Sequence, residues 1–224
     1  MDSTAFTTQG FALVPQVLND AECESLASRL GGTSPDSAGT RRLLSQGWCQ
    51  ALAATLRKHP LLAPLLPAGF AAVQCTYFEK SASRNWLVPV HQDLSIPVAA
   101  RVEHPGLGGW SEKEGALYVQ PPVELLRQLV ALRLHIDTCD DEDGPLRVVP
   151  GSHLQGRMEE QAAATARHSQ AEVVCTLGRG GVMAMRPLLL HASSKSTGSS
   201  RRRVLHFLFG PRLLPFGLQW QQAV

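Results

Sequence analysis

Charge is scarce in this 224-residue chain. Only 18% of its residues are Asp, Glu, Lys or Arg, and 21 basic against 19 acidic groups leave a net charge of +2. That balance lacks the broad basic stripe of a nucleic-acid-binding surface. The five cysteines, at 23, 49, 75, 139 and 175, are odd in number, scattered and without a Cys-x-x-Cys pair. Neither a disulfide framework nor a zinc knuckle fits them, and a reducing, cytoplasmic setting is expected. Long apolar runs are missing as well. The longest, residues 61–73, is interrupted by Pro64, Pro67 and Gly69 and is too short to span a bilayer. The opening Met1-Asp2-Ser3-Thr4 has no basic region followed by an apolar run, so no secretory leader is expected. There is no Gly-x-Ser-x-Gly elbow and no local cysteine signature, which makes a serine or cysteine hydrolase the poorest fit.

What is present is a core former. Hydrophobic residues make up 44% of the chain, and 19 glycines and 15 prolines punctuate short apolar runs. The length predicts one domain over residues 1–224, and the texture predicts a loop-rich, mainly β protein. Phe11 to Val14 reads as a strand closed by Pro15. Asn19 with Glu22 forms a capping box, and Cys23, Leu26, Ala27 and Leu30 follow at helical spacing until Gly31-Gly32. Residues 31–40 read as a loop. A second helix is expected from Gln46 to Lys58, before Pro60. From Phe70 onward, strands are expected at 70–79, 129–137, 146–149, 171–176, 181–191 and 203–209, the spacing of a sandwich or barrel. Residues 1–69 would then be helical support for a β core over 70–212. Between the strands, residues 96–122 read as one long irregular stretch, a candidate lid loop.

The histidines carry the chemistry. His91-Gln92-Asp93 places an imidazole and a carboxylate at i and i+2, on one side of an extended segment. With one distant histidine these make a two-histidine, one-carboxylate face that suits ferrous iron and leaves three open positions, the pattern of non-haem Fe(II) oxygenases. With eight histidines and eight aspartates a chance His-x-Asp is expected about 0.3 times per chain, so the motif alone is weak. A second copy, His135-Ile136-Asp137, lies in an alternating run that reads as an ordinary strand. The distant partner is His191, at the end of the apolar run Pro187-Leu188-Leu189-Leu190. A hairpin through Ser196–Ser200 would return Arg202 beside it. Arg binds carboxylate through two parallel hydrogen bonds, so Arg202 fits a dicarboxylate co-substrate, with Ser193 as a further donor. Arg201-Arg202-Arg203 also fits a solvated patch. On a strand, however, Arg202 pointing inward leaves its neighbours pointing out, and an inward Arg needs a carboxylate partner.

The stretches RNWLVPVHQDLSIPV, HIDTCDDEDGPLRVVPGSH and RPLLLHASS…RRRVLH, within about residues 70–210, resemble the phytanoyl-CoA dioxygenase family. The opening GFALVPQVLNDAECESL resembles that family's first strand and helix. The resemblance implies a double-stranded β-helix, jelly-roll and cupin-like, with N-terminal and flanking α-helices. It implies an Fe(II)- and 2-oxoglutarate-dependent dioxygenase that consumes O2 and releases succinate and CO2. By the same resemblance His91, Asp93 and His191 hold the metal. Arg202 holds the distal carboxylate of 2-oxoglutarate, Ser193 assists it, and Gln92 and Arg133 contact the co-substrate. Thr76 lies on a strand that often lines the pocket. The Gly144-Pro145-Leu146 and Pro150-Gly151-Ser152-His153 motifs serve as turns. Family members that halogenate lack the carboxylate ligand; Asp93 is kept here, which favours hydroxylation of an aliphatic C–H. Substrate contacts are expected from Trp86 before the motif and from Arg101, His104 and Trp110 in the candidate lid, which also holds Lys113 and Tyr118. The expected partner is a small-molecule or carrier-bound substrate, with no nucleic acid, membrane or obligate protein partner. The competing reading is a non-catalytic module on the same fold that binds a metal or small ligand.

Overall fold

The computed structural model describes residues 3–31 and 39–224. In chain order its elements are α1 (Ser3–Gln9), β1 (Phe11–Val14), α2 (Asp20–Leu30), β2 (Gly39–Thr40), α3 (Gly47–Lys58), β3 (Ala71–Lys80), β4 (Val88–His91), β5 (Ile96–Val98), β6 (Gly108–Lys113), β7 (Ala116–Gln120), α4 (Val123–Leu126), β8 (Val130–His135), β9 (Leu146–Val148), α5 (Glu160–Ser169), β10 (Val173–Cys175), β11 (Val182–Met185), β12 (His191–Ser193) and β13 (Arg202–Gly210). The strands form a six-stranded sheet in the order β1-β11-β8-β13-β3-β2, a four-stranded sheet β10-β9-β12-β4 and a three-stranded sheet β5-β7-β6. Every paired strand runs antiparallel to its neighbour. This is the mainly β, jelly-roll arrangement expected.

Alternation in β3, β8 and β13 builds the large sheet's two faces. Cys75, Tyr77, Leu132, Leu134, Leu205, Phe207 and Phe209 point to one face and bury against Leu26 and Leu30 of α2 and Leu52 and Leu56 of α3. The intervening residues point the other way. Ala131, Met183, Met185 and Leu208 there pack against Leu146 and Val148 of the small sheet and Ile96, Val98 and Val119 of the third. The capping box closes as expected: the Asn19 side chain accepts from the Glu22 amide at 2.9 Å, and the Glu22 carboxylate accepts from the Asn19 amide at 2.8 Å. No helix among the described residues is long and apolar enough to cross a membrane.

Two expectations need correction, and one helix was not foreseen. The stretch 96–122 is not irregular but contains a three-stranded sheet, with β5 and β6 both paired to β7. Its hairpin turns on Glu114 and Gly115, both at positive φ, a two-residue turn matched to the twist of the flanking strands. The expected strand 181–191 is two strands in two different sheets, β11 and β12. Pro187 has no N–H to offer a ladder, and Leu188, Leu189 and Leu190 are buried as a crossing turn rather than as strand. The first helix, α1, had no periodic signal. Its sequence STAFTTQ is poor in strong helix formers, and Phe6, 2% exposed, ties it to the core. The loop expected over 31–40 falls largely on residues 32–38, which lie outside the described residues.

Candidate active site

Between the large and small sheets lies a cavity of about 450 Å³, lined from both. That volume falls within the range of small-ligand pockets. Its floor is made by β4 and β12, whose register sets His91 directly opposite His191. The two imidazoles are 4.1 Å apart between ring centres. Asp93, just past the end of β4, is oriented by its amide donating to the Pro187 carbonyl at 2.9 Å. One ligand atom from each of His91, Asp93 and His191 falls within 4.8 Å of the others, close enough to share one ion.

The tautomers suit that task. His91 Nδ1 lies 2.9 Å from the Pro89 carbonyl oxygen, and His191 Nδ1 lies 2.8 Å from that of Leu189. A carbonyl only accepts, so each Nδ1 carries a proton, and the Nε2 that faces Asp93 is the atom each ring can offer a metal. Both Nε2 atoms are 3.8 Å from an Asp93 oxygen. Burial pushes the His191 pKa down to about 4, against the opposing pull of Asp93, so the ring is neutral near pH 7. Burial alone would raise the Asp93 pKa, but His191, His206, His91 and Arg133 together hold it below the usual value. Two imidazoles and one carboxylate form the donor set of the facial triad, and the residues present fit a ferrous ion.

The far end of the cavity is cationic. Arg202 is 3% exposed, donates through Nη1 to the Gly144 carbonyl, and leaves Nε without a partner. Ser193, 2% exposed, donates to the same carbonyl at 3.1 Å. Arg133, 7% exposed, stacks over the Phe78 ring at 5.5 Å, and its Nε too has no partner. Burial and then Arg202 lower the Arg133 pKa to about 9. The nearby carboxylates are taken by the flanking arginines instead. Arg201 pairs with Glu79 at 2.8 Å and Arg203 with Asp137 at 2.6 Å. Arg202 therefore points inward between two outward neighbours, as alternation predicts. It does not reach His191 by a hairpin, however: β13 belongs to the large sheet and β12 to the small one, so the two side chains meet across the cavity.

Other expected contacts sort differently. Trp86 lines the cavity, as do Lys113 and Tyr118. Thr76 lines it too and accepts from Gln74 Nε2 at 2.8 Å. Gln92 is buried at the cavity wall, but its polar atoms are committed to backbone. It donates to the Gly156 and Leu188 carbonyls and accepts from the Met158 amide, so it braces the floor instead of contacting a co-substrate through its amide. Arg101, His104 and Trp110 are absent from the lining. Arg101 is exposed, paired with Glu103 at 3.0 Å and stacked over Trp110, which packs on the outer core. His104 is exposed against Phe216. The structure does not bring these three to the cavity: Arg101 and His104 lie in the connection between β5 and β6, and alternation in β6 and β7 turns Lys113, Tyr118 and Gln120 to the cavity and Trp110 away from it. The second His-x-Asp is structural, as read: His135 is buried and Asp137 is the partner of Arg203. His153 lies outside this cavity, with Nε2 3.0 Å from the Thr7 carbonyl oxygen.

Two buried groups escaped the sequence reading. His206 Nε2 is 3.9 Å from Asp93, and its Nδ1 has no partner. The signal was available, because His206 shares its strand face with Arg202 and Leu208. Lys80, fully buried at the end of β3, had no comparable signal.

Comparisons with known proteins agree with this geometry. The family described as phytanoyl-CoA dioxygenase matches residues 6–204. No curated protein sequence matches the chain. Among solved structures, EctD from S. alaskensis in its apoform is 18% identical with a TM-score of 0.70, covering 99% of this chain and 82% of its own. The non-heme alpha ketoglutarate dependent epimerase SnoN from nogalamycin biosynthesis is 16% identical with a TM-score of 0.68, covering 96% and 84%. HygX from Streptomyces hygroscopicus, with nickel and 2-oxoglutarate bound, is 18% identical with a TM-score of 0.64, covering 93% and 85%. At such identities these likenesses establish the fold.

Proposed function

The chain belongs to the phytanoyl-CoA dioxygenase family, and on that premise we propose that it is an Fe(II)- and 2-oxoglutarate-dependent dioxygenase that hydroxylates an aliphatic C–H bond. The substrate is a small molecule or a carrier-bound one, and succinate and CO2 are released. One observation carries the reading: a triad of His91, Asp93 and His191 sits in the same cavity as a buried arginine, Arg202, that has no carboxylate partner among the described residues. HygX, which shares the fold, binds iron in one structure and nickel with 2-oxoglutarate in another.

In this reading the Nε2 atoms of His91 and His191 and the Asp93 carboxylate hold the metal. With 2-oxoglutarate and O2, bound iron supplies the oxidising chemistry. The protein supplies placement and a shielded pocket. Arg202 and Ser193 bind the distal carboxylate, which fixes one orientation of the co-substrate. Arg133 adds a second guanidinium facing the same cavity. Leu126, Leu129 and Leu208 form an apolar wall that limits water. The β5-β7-β6 sheet serves as the lid, with Lys113, Tyr118 and Gln120 facing the substrate.

The test is succinate formation by the purified protein with Fe(II), ascorbate and 2-oxoglutarate, comparing wild type with His91→Ala and Arg202→Ala. We expect slow uncoupled turnover in the wild type, none in His91→Ala, and a raised 2-oxoglutarate requirement in Arg202→Ala. With a substrate in hand, a product heavier by one oxygen atom separates hydroxylation from epimerisation. Absence of turnover, together with absence of a visible charge-transfer band when 2-oxoglutarate is titrated anaerobically into the Fe(II) protein, would sink the reading and favour the non-catalytic binding module.

A further inference from the structure

Lys80 presents an ammonium where none would be expected. It is the last residue of β3, directly across from Arg202 on β13, and its side chain is 0% exposed. A buried ammonium ordinarily survives beside a carboxylate. Among the described residues no carboxylate lies in ion-pair contact with it. Its donors go to Ser193 Oγ at 2.6 Å and to the Ser194 carbonyl, with the Trp86 ring face 5.5 Å away. The other charged or titratable groups that face it are Arg202, Arg133 and Cys139. The site is shaped around this side chain. Gly144, at φ 63°, sits where a Cβ would be 3.2 Å from Lys80 Nζ and would collide with the Ser194 carbonyl.

The hydrogen bonds have a direction. In its charged form Lys80 has no acceptor atom, so Ser193 Oγ must then accept from it, and the hydroxyl proton is left to point away from Lys80. That proton now meets the Gly144 carbonyl, the same atom to which Arg202 donates. Two donors of the cationic end thus share one neutral carbonyl oxygen, and a carboxylate is the stronger acceptor for both.

We propose that Lys80 is a positioning residue for the distal carboxylate of 2-oxoglutarate, acting through Ser193 as the third member of an Arg202–Ser193–Lys80 set. This rests on the assignment of Arg202 and Ser193 to that carboxylate. Burial, then Arg202 and Arg133, lower the Lys80 pKa to about 7, so the amine is only partly protonated near neutrality. An arriving carboxylate favours the charged form. Co-substrate binding is therefore accompanied by proton uptake near pH 7.

The experiment is anaerobic calorimetric titration of the Fe(II)-loaded protein with 2-oxoglutarate, in two buffers of different ionisation enthalpy. A parallel titration uses pyruvate, a 2-oxo acid with no distal carboxylate. Wild type should bind 2-oxoglutarate with fractional proton uptake. Lys80→Met should weaken 2-oxoglutarate roughly tenfold or more, the scale of one lost charge-assisted hydrogen bond. It should also abolish the proton uptake and leave Fe(II) and pyruvate binding unchanged. Lys80→Gln, which keeps a donor toward Ser193, should recover part of the affinity without the proton uptake, and it carries the test if the Met variant does not fold. Wild-type 2-oxoglutarate affinity in both Lys80 variants, or equal losses toward 2-oxoglutarate and pyruvate, overturns the proposal. The control is Arg202→Ala. If it weakens 2-oxoglutarate while the Lys80 variants do not, only the role of Lys80 falls. If Arg202→Ala also binds normally, the co-substrate assignment itself falls.

Discussion

Three histidines are buried and neutral in the folded chain for one main reason, the loss of water around the charged ring. Burial takes the pKa of His135 to about 3, with Arg133 and Arg202 pushing the same way. Burial takes His191 and His206 to about 4 although Asp93 opposes it. In the unfolded chain each would titrate near 6.5. A base whose folded pKa is depressed contributes stability that is whole above the unfolded pKa and is lost as pH falls toward the folded one. The window for these three therefore opens below about pH 6.5 and closes near 4 for His191 and His206 and near 3 for His135. At pH 5 the cost is about 2 kcal/mol for each imidazole. We expect the denaturant midpoint of the metal-free protein to drop steeply between about pH 6.5 and pH 5, and replacing His135 with Gln to flatten that slope. A midpoint independent of pH across this window would contradict the burial argument. The same neutrality keeps the Nε2 lone pair of His191 available to a metal.

At the scale of elements, the β6–β7 hairpin is held by a clasp that local sequence does not announce. Glu114 adopts φ 52°, a left-handed conformation that costs a non-glycine residue roughly 1–2 kcal/mol. It is offset by contacts from the far segment 40–42. The Glu114 carboxylate accepts from Thr40 Oγ1 at 3.0 Å, the Arg41 amide at 2.8 Å and Arg41 Nη1 at 3.1 Å, and its carbonyl accepts from Arg42. Gly115 is required beside it, at φ 72°, where a Cβ would lie 2.8 Å from Arg42 Nη2. Arg41 and Lys113 both line the cavity, so the clasp ties two parts of its rim. Replacing Glu114 with Ala should speed amide hydrogen exchange across Lys113–Tyr118 while leaving β13 protected. Unchanged exchange in the hairpin would show that its pairing with β5 and its apolar packing hold it without the clasp.

At the scale of the molecule, the site joins two sheets. The triad comes from β4, the residues just after it, and β12, whereas Arg133, Arg202 and Lys80 come from the large sheet. A metal bound by the first set and a dicarboxylate bound by both would add to the apolar packing and the Lys80–Ser193 hydrogen bond that already join these layers. Ligands that bind only the folded state raise its stability by mass action. Thermal scans under anaerobic conditions should show Tm rising with Fe(II), and rising again with 2-oxoglutarate. His91→Ala should lose the first increment, and Arg202→Ala should keep the first and lose the second. Equal responses in all three proteins would mean that the ions act elsewhere on the surface.

Local information accounts for what was legible in the chain. The capping box of α2 and the alternation in β3, β8 and β13 each need only a few neighbouring residues to be recognised. His91 and Asp93 meet because two residues along an extended chain share a side. Arg202 points inward, and its neighbours outward, by the same rule. Tertiary structure decided whatever depends on which strand lies beside which. Residues 181–191 contain no local mark for the point at which the chain leaves one sheet for the other, because a buried crossing and a buried strand are equally apolar. Trp110 reads as a cavity residue, but pairing of β6 with β7 turns Lys113 and Tyr118 inward and Trp110 away, while Arg101 and His104 lie in the connection before β6. Lys80 reads as the polar end of a strand. It becomes a buried amine at the cationic end of the cavity only because β13 sets Arg202 opposite it and β12 brings Ser193 from the facing sheet. Side-chain direction along one strand is a property of the covalent chain, whereas the partner across a cavity is selected by the packing of layers far apart in sequence.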